Sequence, residues 1–258
     1  MYMSKIEKNQ RIGTTEISDP CFHLEIFDNL YDANIIITKR LTDKLIDKII
    51  ENKEKIILHC TVTGMGGSKI EPLVPKKEWS YNQIKKLIDK GFPAKQIVLR
   101  VDPIIPTQKG INTAIEVIKL FCIENELGIN RVRVSFLDMY EHVKKRFIEN
   151  SIQLPYDTFH AEEVNRENAI EILLSLTKDY DIELEFCGEP PTDRFTNMNS
   201  TPCVSQKDIN ILGLTDKINL VGNKNARRNC GCPENKYELI KDKPKQCNNK
   251  CLYCFWQN

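Results

Sequence analysis

Cys247, Cys251 and Cys254 are spaced C-x-x-x-C-x-x-C, with Tyr253 immediately before the third cysteine. Such a run makes a tight loop that can aim three thiolates at one point. Thiolates are soft ligands, suited to iron–sulfur clusters or zinc rather than to calcium or magnesium. Three of them on a cube of four irons leave one iron open to a further ligand. The alternative is a surface zinc knuckle completed by a fourth ligand from elsewhere in the chain. Three residues between the first two cysteines are commoner in cluster loops than in zinc ribbons, which favours iron–sulfur.

Four further cysteines, Cys187, Cys203, Cys230 and Cys232, also lie in the last third of the sequence. They could hold a second iron–sulfur cluster or a structural zinc. Equally, some are free thiols and one is the fourth ligand of a single site. Cys21, Cys60 and Cys122 have apolar neighbours or helical positions and are expected to be inert. His23, His59, His142 and His160 form no spaced metal set; His59 alone is kept as a residue of a barrel lumen.

The 258 residues allow one large α/β barrel or two ordinary domains, and a hydrophobic share of 41% is ample for a core. A net charge of +1 neither demands nor excludes nucleic acid. Residues 1–10 are polar, and no apolar run approaches the ~18 residues of a membrane helix. The expectation is a cytoplasmic protein without membrane contact, whose clustered cysteines serve as metal ligands or redox groups rather than disulfides.

The elements that must position these residues alternate. Strands are expected at 34–38, 55–63, 96–102, 131–137 and 181–187, with a weak sixth at 218–221. Helical spacing runs over 41–50, 79–90, 112–127, 140–147, 165–177 and 205–212. This predicts an α/β fold with a parallel sheet, as a partial TIM-like (β/α) barrel of about six units. Residues 1–30 are expected as an N-terminal arm, 31–222 as the partial barrel and 223–258 as a cysteine-rich iron–sulfur cap packed on it.

Side chains in a strand alternate between faces. His59, Thr61 and Thr63 thus oppose Leu58, Cys60 and Val62, and Arg100 and Asp102 oppose Leu99 and Val101. Arg131, Arg133 and Ser135 oppose Val132, Val134 and Phe136, while Glu183, Glu185 and Cys187 oppose Ile182, Leu184 and Phe186. In a barrel the polar faces line the lumen, where charges are paired with one another or used on a ligand, while an open sheet with one wet face is the cheaper alternative. Arg100, Asp102, Arg133 and Glu185 are therefore the candidates for contact with the reacting molecules. Loops after strand ends add Thr63, Gly64, Gly66 and Gly67, whose glycines permit close backbone approach to a ligand. Ser135, Asp138 and Glu189 stand at two other strand ends, although Asp138 could equally be a helix N-cap.

With Tyr253 as its aromatic, the cysteine loop resembles the C-x-x-x-C-x-aromatic-C motif of radical S-adenosylmethionine (SAM) enzymes. In that superfamily the motif follows the first barrel strand, whereas here it comes late, as if the order were permuted. The wider sequence is similar to a bacterial family of unassigned function with a radical-SAM-like cysteine cluster near the C-terminus. The similarity rests on Thr61-x-Thr63-Gly64 with Glu71-Pro72, Arg100-x-Asp102-Pro103-Ile104, Ser135-Phe136-x-Asp138, and the seven late cysteines.

The resemblance implies a 4Fe–4S cluster on Cys247, Cys251 and Cys254, with SAM bound at the open iron. It further implies reductive cleavage to a 5′-deoxyadenosyl radical that abstracts hydrogen from substrate. Thr63, Gly64, Gly66, Gly67, Ser135, Asp138, Glu189 and Tyr253 are the expected SAM contacts. A flavodoxin- or ferredoxin-type electron donor is the expected partner. The substrate is unidentified, with nucleic acid or a nucleotide in view, and the oligomeric state is open. The competing reading is a zinc- or iron–sulfur-stabilised module for nucleic acid or protein, using Lys224–Arg228, Lys241–Lys245 and the aromatic Phe255 and Trp256.

Overall fold

A computed structural model describes residues 6–124, 127–196, 198–222, 230–241 and 247–256. Seven strands are formed: β1 Ile12–Thr14, β2 Ala33–Thr38, β3 Ile56–Thr61, β4 Ile97–Ile104, β5 Arg131–Phe136, β6 Glu183–Phe186 and β7 Lys236–Glu238. All pair in parallel, in one sheet of order β6-β5-β4-β3-β2-β1-β7. The sheet is not closed, and β6 and β7 are its two edges. Among the described residues six α-helices accompany it: α1 Asp43–Glu51, α2 Lys77–Asp89, α3 Gln108–Ile118, α4 Glu141–Glu149, α5 Glu163–Thr177 and α6 Gln206–Ile211. No helix among the described residues is long and apolar enough to cross a membrane.

Local chemistry explains the helix starts. The Thr42 and Thr107 hydroxyls accept from the amides of Leu45 and Gly110, capping α1 and α3. Ser205 and Asp208 form a reciprocal capping box on α6. Helix α1 then buries the stripe Leu45, Ile46 and Ile49, each worth about 1.5–3 kcal/mol relative to exposure.

The alternation read from the strands is realised in space. Leu58, Cys60, Leu99, Val101, Val132, Val134, Leu184 and Phe186 face the core shared with α1, α2, α3 and α5. On the other face, Ile35, Ile57 and Val98 form an apolar floor at the strands' N-terminal half, closed by Val204, Ile209 and Ile218.

Two expectations differ from the structure. Residues 218–221 form no strand, because Ile218 and Leu220 pack into that floor while the Asn235 side chain bonds the Asn219 carbonyl and the Val221 amide. The arm and the cap instead each contribute a strand, β1 and β7, which pair with one another; three residues apiece are too few for a period to show.

Above the floor lies a layer of buried charge. Arg131 donates through Nε and Nη2 to Glu185 Oε1 at 3.1 and 3.0 Å, and through Nη1 to Asp208 Oδ1 at 2.9 Å. Arg133 Nε donates to Glu185 Oε2 at 2.7 Å. Two guanidinium groups thus meet two carboxylates, and all four side chains are at most 1% exposed. His59 is also fully buried; burial together with Arg133, Arg100 and Arg131 pushes its pKa well below the ordinary value.

Glu185→Gln leaves two buried arginines short of a partner charge. It is expected to lower the free energy of urea unfolding by about 3–5 kcal/mol; a loss below about 1 kcal/mol would show that the layer is not a charge network. His59 generates a pH signature. The unfolded chain takes up a proton as pH falls below about 6.5 while the native chain does not, so stability should decline there by about 1.4 kcal/mol per pH unit. Unfolding curves of His59→Gln between pH 7 and 5 should lack that component; parallel wild-type and variant profiles would show that His59 is protonated in the fold.

Candidate functional site

A cavity of about 240 Å³ opens at the C-terminal ends of the strands, where parallel α/β sheets bind ligands. Its wall includes Cys247, Cys251 and Cys254 together with Cys187, Cys203 and Cys230. The two cysteine groups, distant in sequence from several of their neighbours, therefore share one chamber.

The Cys247–Cys254 loop is held by three strand-end segments. Asn249 Nδ2 donates to Asp19 Oδ2 at 2.8 Å, beyond β1. The Tyr253 hydroxyl donates to Glu71 beyond β3, and the Leu252 amide donates to the Ile70 carbonyl at 2.9 Å. Arg146 Nη2 of α4 donates to the Cys254 carbonyl at 2.5 Å. Leu252 and Tyr253 pack on Leu137, Met139, Val143 and Phe147.

The donor set fits an iron–sulfur cluster. All three cysteines are free thiols on one wall, and the Asn249 and Asp19 amides and the Ser18 hydroxyl already point at the Cys247 sulfur. Hydrogen bonds to cluster sulfurs are a main determinant of potential. Burial pushes the Cys251 thiol up to about 12, against the pull of Lys39. That thiol is a poor thiolate until a metal takes its proton.

Sequence reasoning missed Lys39, and it named Glu71 only in the resemblance, without a role. Lys39 Nζ lies 3.1 Å from Glu71 Oε1 and 5.3 Å from the Tyr253 ring centroid. Glu71 is fully buried and also accepts from Thr63 Oγ1 at 2.6 Å. The available signal for Lys39 was its place directly after the β-branched run of β2. Asp19 and Asn249 carried no signal of their own.

The other candidates divide by position. Arg100, Asp102, Ser135, Asp138, Glu189 and Tyr253 line the cavity. Ser135 donates to Asp102, which also pairs with Arg100, and Arg100 Nη1 stands 4.0 Å from the Cys203 sulfur. Asp138 does not cap α4; it meets His160 Nδ1 at 2.9 Å, and Tyr140 occupies the cap position. Glu189 Oε1 accepts from the Phe136 amide at 2.8 Å, yet burial pushes its pKa up to about 8. It can therefore present a protonated carboxyl to the cavity near neutral pH.

Arg133 and Glu185 lie in the charge layer beneath, and Cys232 is fully buried behind the wall. Thr63, Gly64, Gly66 and Gly67 are also outside the cavity lining. Gly64 and Gly67 adopt φ of 78° and 77°, and a Cβ on Gly66 would collide with the Pro75 carbonyl oxygen. The turn's own backbone thus accounts for its glycines. Of the basic stretches, Lys224–Arg228 and residues 242–245 fall outside the described residues, while Phe255 packs on Tyr140 and Trp256 at 5.0 and 5.1 Å between ring centroids.

Asn249→Ala removes the tie between the cysteine loop and the segment after β1, leaving the Asp19 carboxylate short of a donor. The expected cost is about 1–3 kcal/mol, seen as faster hydrogen exchange at residues 247–256 with the sheet unchanged. Unaltered exchange in that loop would show that Leu252 and Tyr253 hold it without Asn249.

No curated protein and no solved structure matches the chain. Residues 25–256 match the model of a protein family described as Domain of unknown function (DUF1848), and the chain belongs to that family.

Proposed function

We propose that this protein is a radical SAM enzyme built on an opened (β/α) barrel, with Cys247, Cys251 and Cys254 as the ligands of a 4Fe–4S cluster that binds SAM. One observation carries the reading. The sheet begins at the edge strand β7, continues through β1 to β6, and the cysteine loop follows β7. In spatial order the motif therefore follows the first strand, as the resemblance requires, although in chain order it comes last.

Held by Cys247, Cys251 and Cys254, the cluster with SAM would supply one-electron radical chemistry for taking hydrogen from substrate. The chain's own residues orient and enclose. Tyr253 fixes the loop on Glu71, and Thr63 fixes Glu71 from the glycine turn, so that turn acts at one remove from the cavity. Lys39 brings positive charge to the Cys251 side. The chain Ser135–Asp102–Arg100 and the pair Asp138–His160 offer polar groups for SAM or substrate, and Glu189 offers a carboxyl able to donate. Arg133 and Glu185 hold the floor beneath them. A flavodoxin- or ferredoxin-type protein of the cytoplasm supplies the electron.

The test uses anaerobically purified, iron-reconstituted protein, dithionite and SAM, with 5′-deoxyadenosine read by mass spectrometry. Product is expected from the wild type and lost in Cys251→Ala. Product that persists in Cys251→Ala, or protein that stays colourless and zinc-loaded after reconstitution, sinks the proposal.

A further inference from the structure

The two edges of the sheet each carry cysteines that the SAM reading does not use. Cys187 directly follows Phe186, the last residue of β6. Cys203 lies on the path from β6 to α6, and Cys230 and Cys232 stand just before β7. Their sulfurs meet in one unbroken run. Those of Cys187 and Cys203 are 3.7 Å apart, that of Cys232 lies within 4.8 Å of that of Cys203, and Cys230 and Cys232 act electrostatically on one another. The Cys232 amide also points at the Cys230 sulfur. All four are free thiols, and Cys203 and Cys232 are buried.

We propose that Cys187, Cys203, Cys230 and Cys232 bind one soft divalent ion, zinc or ferrous iron, in a tetrathiolate site that ties the β6 edge of the sheet to the β7 edge. Four thiolates at ~2.3 Å from a tetrahedral ion are about 3.8 Å from one another, which is the spacing of Cys187 and Cys203; the ion draws Cys230 and Cys232 in to the same distance. A cubic cluster sets each thiolate on a different iron and holds them further apart.

Positive charge for the bound thiolates is already in place. Arg100 Nη1 stands 4.0 Å from the Cys203 sulfur, and Lys236 faces Cys232 and Cys203. The Glu16 carboxylate lies within 4.8 Å of the sulfurs of Cys203 and Cys232. Both its oxygens are 2.9 Å from Lys236 Nζ, which leaves the soft ion to the sulfurs. The four thiol protons leave to solvent as the ion binds.

The site stands apart from the SAM reading, and so does its test. The variant Cys247→Ala/Cys251→Ala/Cys254→Ala is stripped of metal and titrated with cobalt(II). One cobalt per chain is expected, with the intense visible and charge-transfer bands of a tetrahedral tetrathiolate, displaced by zinc. Adding Cys203→Ser or Cys232→Ser should remove about a quarter of the charge-transfer intensity or abolish binding. Adding Cys230→His should retain the ion with a shifted spectrum, which separates a lost ligand from a lost fold. Metal analysis of the same triple variant as isolated then distinguishes zinc from iron. Pale six-coordinate cobalt, spectra indifferent to these substitutions, or a four-iron cluster with labile sulfide in the triple variant would each overturn the proposal.

Discussion

The buried charges Arg131, Arg133, Glu185 and Asp208 decide what the inner face of the sheet can hold. In a poorly polarisable interior an arginine must be matched closely or the fold is lost. Asp208 therefore has to stand where Arg131 reaches it, and that requirement fixes α6 across the inner face. The same carboxylate accepts from the Ser205 amide and hydroxyl through Oδ2 while Oδ1 takes the arginine. Helix start and charge match are thus one interaction. Two residues upstream, the Cys203 carbonyl accepts from Arg133 Nη1 at 3.2 Å, so the layer also sets the height of a cysteine at the cavity wall.

That layer separates two environments along a short path. Below it Ile35, Ile57, Val98, Val204 and Ile209 exclude water; above it the strand ends turn polar and open into the chamber. The chamber's contents come from segments far apart in the chain, and spatial order along the sheet, not chain order, brings the Cys247–Cys254 loop beside the end of β1. A hydrogen bond between residues 19 and 249 and a carboxylate shared by Lys39, Thr63 and Tyr253 hold this junction.

What the sequence made legible follows from period and spacing. Strands β3 to β6 show their faces because polar and apolar residues alternate over four or more positions, and Arg131, Arg133 and Glu185 fall on the inner face as that alternation demands. The cysteine loop stands out because its three cysteines are close together in the chain. Strands β1 and β7 were not, since three residues carry no period. Ile218 to Val221 looked like a strand because apolar alternation also suits a segment lying on a floor, and only the distant Asn235 decides between them. Lys39 escaped notice, and Glu71 received no role, for a related reason. Each is an ordinary charged residue until a contact 32 positions away makes it a buried pair.

The pairing of β1 with β7 has a consequence for how the protein is made. As the chain emerges from the ribosome, β1 can join β2 early, but its other edge waits until more than two hundred further residues have been synthesised. Such long-range closure is slow, and an unpaired strand edge invites association with other chains. Both groups of clustered cysteines are likewise complete only when residues 230–254 have appeared. On the proposed reading, metal delivery is a late event in biogenesis, acting on a sheet already largely assembled, and a nascent chain stalled before β7 would present the quality-control machinery with an open β1 edge.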